Sequence, residues 1–174
     1  MTLFRKGVLL AVLHLAIVLS LGAKLLIDRA RYPRVWAQTA SYDPNLPIRG
    51  RYLSVRLQVN ADRVYTTPLE ESKNLNWWEE RRNITLAVED GHLTALPTDL
   101  DTGLYVVRWR VRDQPQVFLE EPVAFFIPEH AADPSHRPPG EQLWIEVTVP
   151  KKGPPRPIRL GVMKDGVLTP LTVE

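Results

Sequence analysis

Residues Gly7–Ile27 read GVLLAVLHLAIVLSLGAKLLI, and this stretch decides how the rest of the chain is interpreted. Its residues are apolar or small apart from His14, Ser20 and Lys24. About 20 helical residues, at a rise of about 1.5 Å each, span the roughly 30 Å hydrocarbon core of a bilayer. The sequence therefore predicts a transmembrane anchor over residues 7–27, preceded by a cytoplasmic tail of residues 1–6.

A cleaved secretory signal is the main alternative to an anchor. Arg5 and Lys6 precede the apolar run, as in the basic n-region of such a signal. Ser20–Ala23 offers one cleavage site with small residues, but the next residues, Lys24–Ile27, are basic and bulky. Because the run is also longer than a typical signal-peptide core, an uncleaved signal anchor is favoured.

The positive-inside rule and the usual translocation of large domains predict opposite orientations for the C-terminal domain. Arg5 and Lys6 lie on one side of the membrane centre, and Lys24, Arg29, Arg31 and Arg34 lie on the other. The positive-inside rule alone would keep the C-terminal part in the cytoplasm. Large domains translocate with limited regard to charge, and short N-terminal tails usually stay inside. We therefore expect a single-pass protein of the bacterial cytoplasmic (inner) membrane with a periplasmic C-terminal domain.

His14 lies near the middle of the predicted span, where ionisable side chains are costly. The span holds no acidic residue that would pair with it in a proton relay. The residue instead hints that the anchor packs against another membrane helix.

The charge balance argues against nucleic-acid binding. The chain has 22 Lys and Arg residues against 20 Asp and Glu residues. Arg5, Lys6 and Lys24 belong to the anchor region, which leaves 19 basic and 20 acidic residues from Asp28 onward. A basic surface for phosphates is therefore not expected. The absence of Cys excludes disulfides, a thiolate nucleophile and Cys-ligated zinc, and no cofactor is implied.

Residues 28–48 are interpreted as a juxtamembrane connection. Tyr32, Trp36 and the neighbouring arginines suit the headgroup layer. Pro33 is expected to end the helix near Tyr32, because the residue before a proline disfavours the helical conformation.

Short alternating segments predict an all-β domain over residues 49–174. In residues 49–59, apolar side chains alternate with polar ones at Leu53, Val55, Leu57 and Val59, which is typical of a half-buried strand. Asp-Gly pairs at 90–91 and 165–166 are typical of two-residue hairpin turns. No segment after the anchor shows a helical period. We expect a sandwich or partly closed barrel of about eight short antiparallel strands.

The chain resembles the bacterial membrane-anchored proteins called GDYXXLXY. An N-terminal span is followed by Asp43-Pro44 and by Arg49-Gly50-Arg51-Tyr52, which opens a strand. Gly50 and Tyr52 match the namesake motif. Three positions depart from it: Arg51 stands in place of Asp, Val55 in place of Leu, and Leu57 in place of Tyr.

Two later segments extend the resemblance over most of the chain. Phe126-Ile127-Pro128-Glu129 is similar to an aromatic-x-aliphatic-Pro-Glu segment of that family, and Met163–Gly166 is similar to its closing hairpin. The resemblance implies a membrane-anchored protein of unassigned biochemical role, often accompanied by a polytopic membrane protein. Arg51 leaves this chain without the motif's carboxylate.

Other chemistries have weaker support in the sequence. His130, Asp133 and His136 are competent metal ligands, but their spacing fits no known site and the surrounding prolines favour a plain loop. For a membrane-tethered hydrolase, the possible nucleophiles are Ser41, Ser54, Ser72 and Ser135. None of these serines lies in a motif that would activate its hydroxyl.

Three arginines alternate along one predicted strand, at Arg108, Arg110 and Arg112, and therefore share a face. The favoured interpretation is a solvated face balanced by acidic cross-strand neighbours. The alternative is a face for an anionic partner, such as lipid headgroups or an acidic protein surface.

The predicted function is a membrane-anchored envelope protein whose β domain acts through protein–protein contacts. A small-molecule or metal-binding envelope module is the second hypothesis, and it requires a deep pocket lined by Trp77, Trp109 or Trp144. A membrane-tethered hydrolase is the third.

Overall fold

The computed structural model describes residues 3–41, 52–65, 81–111, 114–128, 130–131 and 133–172, with the backbone alone at 3, 41, 109–111, 114 and 115. The chain divides into two units, Met1–Tyr32 and Pro33–Glu174. The first unit is one helix and the second is built from strands.

Helix α1 spans Leu3–Arg31 and extends beyond the predicted anchor at both ends. It is long and apolar enough to cross a membrane, a property that signal sequences share. Arg29 and Arg31 in its last turn complement the negative end of the helix dipole. The helix ends before Pro33, as predicted.

Ten strands follow in the described part of the chain. They are β1 (Arg34–Ser41), β2 (Tyr52–Leu57), β3 (Arg82–Glu89), β4 (His92–Pro97), β5 (Tyr105–Val111), β6 (Gln114–Leu119), β7 (Val123–Phe126), β8 (Glu141–Thr148), β9 (Arg156–Lys164) and β10 (Val167–Pro170). They form a six-stranded sheet in the order β10-β9-β8-β1-β2-β7 and a four-stranded sheet in the order β4-β3-β5-β6. All pairings between these strands are antiparallel, and the predicted all-β sandwich preceded by one helix is confirmed.

The structure differs from the sequence interpretation at the start of the β domain. The segment 34–41, interpreted above as part of a connection, is strand β1, and it lies between β2 and β8 inside the larger sheet. Val35 and Ala37 are 4% and 3% exposed, whereas Trp36 and Gln38 face the other side and are half-buried. This is the alternation of a strand. Arg34 and Trp36, which were interpreted above as residues of a membrane interface, both belong to β1.

Residues 58–60 continue β2 and join the two sheets. The Gln58 N–H donates to the Gln38 carbonyl in β1 at 2.9 Å, while the Val59 N–H donates to the Val117 carbonyl in β6 at 3.0 Å. The Asn60 N–H then donates to the Leu93 carbonyl in β4 at 2.9 Å. One extended segment therefore pairs with strands of both sheets.

One hydrophobic core lies between the sheets, and all its members come from residues 35–171. Leu57, Ile84, Ile145 and Leu160 are fully buried in it. Both predicted hairpins are confirmed, because residues 90–91 and 165–166 connect paired strands and all four have positive φ. Positive φ at both central residues defines the type I′ turn, which matches the twist of the flanking strands.

Candidate interaction surfaces

Tyr52 and Phe126 form an exposed pair of aromatic side chains, called here the aromatic pair. They lie directly opposite each other in the register of β2 and β7. Their ring centroids are 5.7 Å apart and their planes are inclined by 72°, an edge-to-face arrangement. Each residue is 59% exposed, so the pair forms an apolar feature open to a partner.

Strand alternation places the aromatic pair on the outer face of the larger sheet. Leu53, the neighbour of Tyr52, points into the core, and so does Ile127, the neighbour of Phe126. Ser54 and Ala124 oppose each other one step further along the same two strands. On these two strands the outer face therefore carries only short side chains at this step.

The aromatic pair lies at the end of the sheet remote from the chain's entry into the domain. β1 begins at Arg34, and its last residue, Ser41, lies opposite Val55 of β2. Tyr52 is three residues beyond Val55, on the side away from Arg34. At about 3.3 Å per strand residue, the separation of Arg34 and Tyr52 along the strands is about 30 Å.

Prolines mark the edge strand at each side of both sheets. They stand at Pro97 in β4, Pro115 in β6, Pro170 in β10, and at Pro122 and Pro128 on either side of β7. Proline has no N–H to offer to an added strand, and short edge strands with prolines discourage edge-to-edge pairing. Partner contacts through the faces of the sheets are therefore favoured over strand addition.

The motif residues predicted from the sequence fall into three groups: buried or half-buried residues, the exposed aromatic pair, and residues outside the described part of the chain. Val55 and Leu57 are fully buried, and Pro128 is half-buried. The register of β2 and β7 brings Tyr52 of the first motif segment against Phe126 of the second, a contact that no local sequence pattern indicated. The remaining motif residues, Arg49, Gly50 and Glu129, lie outside the described residues.

Of the three arginines predicted to share a solvated face of β5, only Arg108 has a described side chain. Its environment differs from that prediction. Arg108 is 4% exposed, and its guanidinium carbon lies 3.7 Å from the centroid of the Tyr65 ring. The Tyr65 hydroxyl donates to the Val106 carbonyl at 3.3 Å. Arg108 therefore lies in the interior, not on a solvated face. Arg110 is described by its backbone, which pairs with Pro115, and Arg112 lies outside the described residues.

Two of the three predicted metal-ligand candidates lie close together. His136 Nδ1 and Asp133 Oδ2 are 3.4 Å apart, while the Ser135 N–H donates to Asp133 Oδ1 at 2.8 Å. Although burial raises it, the pKa of the Asp133 carboxyl is lowered overall by the Ser135 N–H and hydroxyl and by His136. His130 is exposed. Within the described residues, no three His, Asp or Glu side chains are grouped to hold a metal ion.

The residues expected in a pocket or a hydrolase site are dispersed. Trp144 is half-buried in β8, Trp77 lies outside the described residues, and Trp109 is described by its backbone. Of the serines, Ser54 lies half-buried in mid-β2 and Ser135 belongs to the turn beside Asp133. Among the side chains that the structure describes, no serine hydroxyl is hydrogen-bonded to a lysine or a histidine.

An ion pair on the larger sheet, with a buried carboxylate and an exposed guanidinium, was not anticipated from the sequence. Glu146 in β8 is 7% exposed, and its Oε2 accepts a hydrogen bond from Arg159 Nε in β9 at 2.6 Å. The Arg159 guanidinium carbon lies 5.3 Å from the centroid of the Trp36 ring in β1. A single acidic residue within the alternating strand 143–149 is the one sequence signal for it. These contacts connect the three adjacent strands β9, β8 and β1.

Helix α1 is the second candidate surface, because its side chains from Phe4 to Ile27 are exposed. Its two uncharged polar side chains bond to the helix's own carbonyls. His14 Nδ1 lies 2.8 Å from the Leu10 carbonyl oxygen, and the Ser20 hydroxyl donates to the Ile17 carbonyl at 2.8 Å. Such back-bonding lowers the cost of placing polar groups in lipid.

No protein-family model, no curated protein and no solved structure matches this chain.

Proposed function

We propose that this chain is a single-span protein of the bacterial inner membrane. In this proposal, α1 is an uncleaved signal anchor and the periplasmic β domain acts through protein–protein contacts. The observation that carries the proposal is the surface of α1, which exposes large apolar side chains at nearly every turn from Phe4 to Ile27. An exposed apolar surface of this length is stable in lipid and unfavourable in water.

The length and flanks of α1 support the spanning arrangement. Residues 4–31, at about 1.5 Å each, extend about 42 Å, which covers the hydrocarbon core and reaches both interfacial layers. Basic residues lie at both ends, with Arg5 and Lys6 before the apolar run and Arg29 and Arg31 in the last turn. Charged side chains at these positions suit the headgroup layers.

The aromatic pair supports a function in protein contacts. Tyrosine and phenylalanine are enriched at the centres of protein interfaces, because they bury a large area with few rotatable bonds. Arg34, where the domain begins, lies about 30 Å from Tyr52 along the strands. The aromatic pair therefore lies at the end of the domain away from the residue at which the chain enters it.

The resemblance to GDYXXLXY proteins belongs to the same proposal. It rests on Gly50, Tyr52 and the segment 126–129, together with the N-terminal span. A polytopic membrane protein is the partner class that the resemblance implies.

Membrane fractionation of the full chain tests the anchor. We expect the protein to stay with the membranes in alkaline carbonate and to show an intact mass of 19.9 kDa. A control variant with Leu13→Arg and Val18→Arg should be recovered in the aqueous fraction, because each central arginine costs about 2.5–3.5 kcal/mol on insertion. A mature N-terminus beyond Ala23 would show a cleaved signal and overturn the anchor.

Reporters fused after Glu174 test the orientation. A phosphatase that is active only in the periplasm should be active, and a fluorescent protein that folds only in the cytoplasm should be dark. The reverse result would place the domain in the cytoplasm, as the positive-inside count alone suggests.

A further inference from the structure

His14 lies deep within α1. It follows Lys6 by eight residues and precedes Lys24 by ten, which correspond to about 12 Å and 15 Å along the helix. If α1 spans the membrane as proposed above, the ring lies in the hydrocarbon interior, where water does not satisfy polar atoms.

The hydrogen bond to Leu10 decides which ring nitrogen remains unsatisfied. A carbonyl oxygen only accepts, so Nδ1, at 2.8 Å, is the nitrogen that donates. In the neutral ring, Nε2 is then an acceptor. The helix itself does not supply a donor to Nε2, because its interior N–H groups bond to carbonyls four residues earlier.

A second copy of the chain does not complement this acceptor. With its own Nδ1 donating to Leu10, the second copy would present at the same depth another Nε2 that is an acceptor. Ser20, the other uncharged polar side chain of α1, already donates its hydroxyl to Ile17. The complementary group is therefore a donor on a different helix.

The face of α1 around His14 allows close approach of another helix. At 100° per residue, Gly7, Ala11 and Val18 lie within about 60° of His14 around the helix axis. All four residues are exposed, and a Cβ built on Gly7 meets no atom within 4 Å. Small side chains at membrane-helix interfaces let backbones approach closely.

We propose that this face of α1 binds a transmembrane helix of a different membrane protein. The partner helix presents a hydrogen-bond donor, such as a hydroxyl, an amide or an indole N–H, to His14 Nε2 in the middle of the bilayer. The inference rests on the proposed anchor, since it requires α1 to span the membrane. It is independent of the aromatic pair.

The natural chain has no cysteine, so single cysteines report on chosen faces of α1. Ala11→Cys places a thiol on the His14 face, and Ala16→Cys places one about 160° away from His14. Both alanines are exposed. Each full-length variant is labelled with benzophenone maleimide in intact membranes of the native host, irradiated, and analysed by mass spectrometry.

We expect Ala11→Cys to form an adduct with a protein whose cross-linked segment is a transmembrane helix carrying a donor side chain. Ala16→Cys should form much less of it. Adding His14→Leu to Ala11→Cys should reduce the adduct about fivefold, the effect of one interhelical hydrogen bond in a membrane. Adding His14→Gln, which retains an acceptor, should leave the yield within about twofold.

Four results would overturn the proposal: no adduct, equal adducts from both cysteines, an adduct with a second copy or with a protein that lacks transmembrane helices, or an adduct insensitive to His14→Leu. Carbonate extraction of the same membranes distinguishes a failure of the proposed anchor from a failure of the proposed partner helix. Retention in the pellet without the expected adduct would remove the partner helix and leave the anchor in place. Extraction into the supernatant would remove both.

Discussion

Tyr52 and Phe126 meet edge to face across β2 and β7, with ring centroids 5.7 Å apart, although they are 74 positions apart in the chain. The two rings are equally exposed, at 59% each. Cross-strand aromatic contacts stabilise a sheet by only about 0.2–1 kcal/mol each relative to alanine pairs. Stability alone therefore gives little reason for two large exposed rings to be placed together, whereas a partner contact does.

Replacing Phe126 by Ala should separate these two roles. We expect the free energy of unfolding, measured by urea titration of the full chain in detergent, to fall by about 1 kcal/mol or less. Recovery of an identified membrane partner in a detergent pull-down should fall strongly. Leu100→Ala is a matched control, since Leu100 is 73% exposed elsewhere on the domain. Equal recovery with Phe126→Ala and Leu100→Ala would contradict a role of the aromatic pair in binding.

Gly161→Ala should destabilise the larger sheet through a clash with Trp36. A Cβ at position 161 would lie 2.8 Å from Trp36 Cζ3 and 3.2 Å from the Thr169 carbonyl oxygen. Overpacking of this kind typically costs about 1–3 kcal/mol, and it should appear as a lower urea midpoint. Trp36→Phe removes the contacting ring atoms, so the double variant should lose less stability than the sum of the two single variants. Strict additivity would show that the clash is relieved in another way.

Two ion pairs of the β domain, Glu146–Arg159 and Arg63–Glu89, should differ in their contribution to stability. Arg159→Gln leaves the Glu146 carboxylate, whose side chain is 10% exposed, without its 2.6 Å partner. We expect a loss of about 1–3 kcal/mol in the free energy of unfolding. Arg63→Gln removes a pair whose side chains are 63% and 35% exposed, and the expected loss is below about 1 kcal/mol. Similar losses for both variants would mean that burial does not set the strength of the Glu146–Arg159 pair.

Asp133 should contribute stability that depends on pH. Burial raises its pKa, but the Ser135 N–H and hydroxyl and the His136 ring lower the pKa of the carboxyl below its ordinary value of 3.8. A pKa that is lower in the folded state gives stability above the unfolded value, and this stability is lost as the pH falls through the folded value. Asp133→Asn should therefore lower the urea midpoint at about pH 5 and have a diminishing effect towards about pH 2.

Ser135→Ala is the companion variant for this test. It keeps the N–H bond to Asp133 at 2.8 Å and removes the hydroxyl, so its effect at about pH 5 should be smaller than that of Asp133→Asn and should fade over the same range. An Asp133→Asn effect that stays constant with pH would mean that the carboxylate charge is not responsible.

Features with a local physical cause were predictable from the sequence. The mostly apolar run at 7–27 predicted α1, because helix length and lipid thickness are matched within one segment. The Asp-Gly pairs at 90–91 and 165–166 predicted both hairpins, because positive φ is a property of those residues themselves. The alternation in β2 predicted which side chains are buried, since a strand's period is two whatever its neighbours are.

Pairing between distant segments was decided only by the tertiary structure. From the sequence alone, the segment of β1 was interpreted as a membrane-proximal connection. It is a strand because β8, more than 100 positions later, pairs with it from Arg34↔Thr148 to Gln38↔Trp144. The same holds for Arg108, whose face was predictable from the period of β5. Its burial depends on the Tyr65 ring, which comes from a turn more than 40 positions away.

The sequence by itself determined a lipid-compatible helix, a β domain and the positions of its hairpins, because each depends on residues adjacent in the chain. The tertiary structure alone decided that Tyr52 meets Phe126, that β1 lies within the larger sheet and that residues 58–60 join both sheets. Alternation states which side chains share a face but carries no information about the strand that will lie beside them. That choice is made by the fit of the whole core.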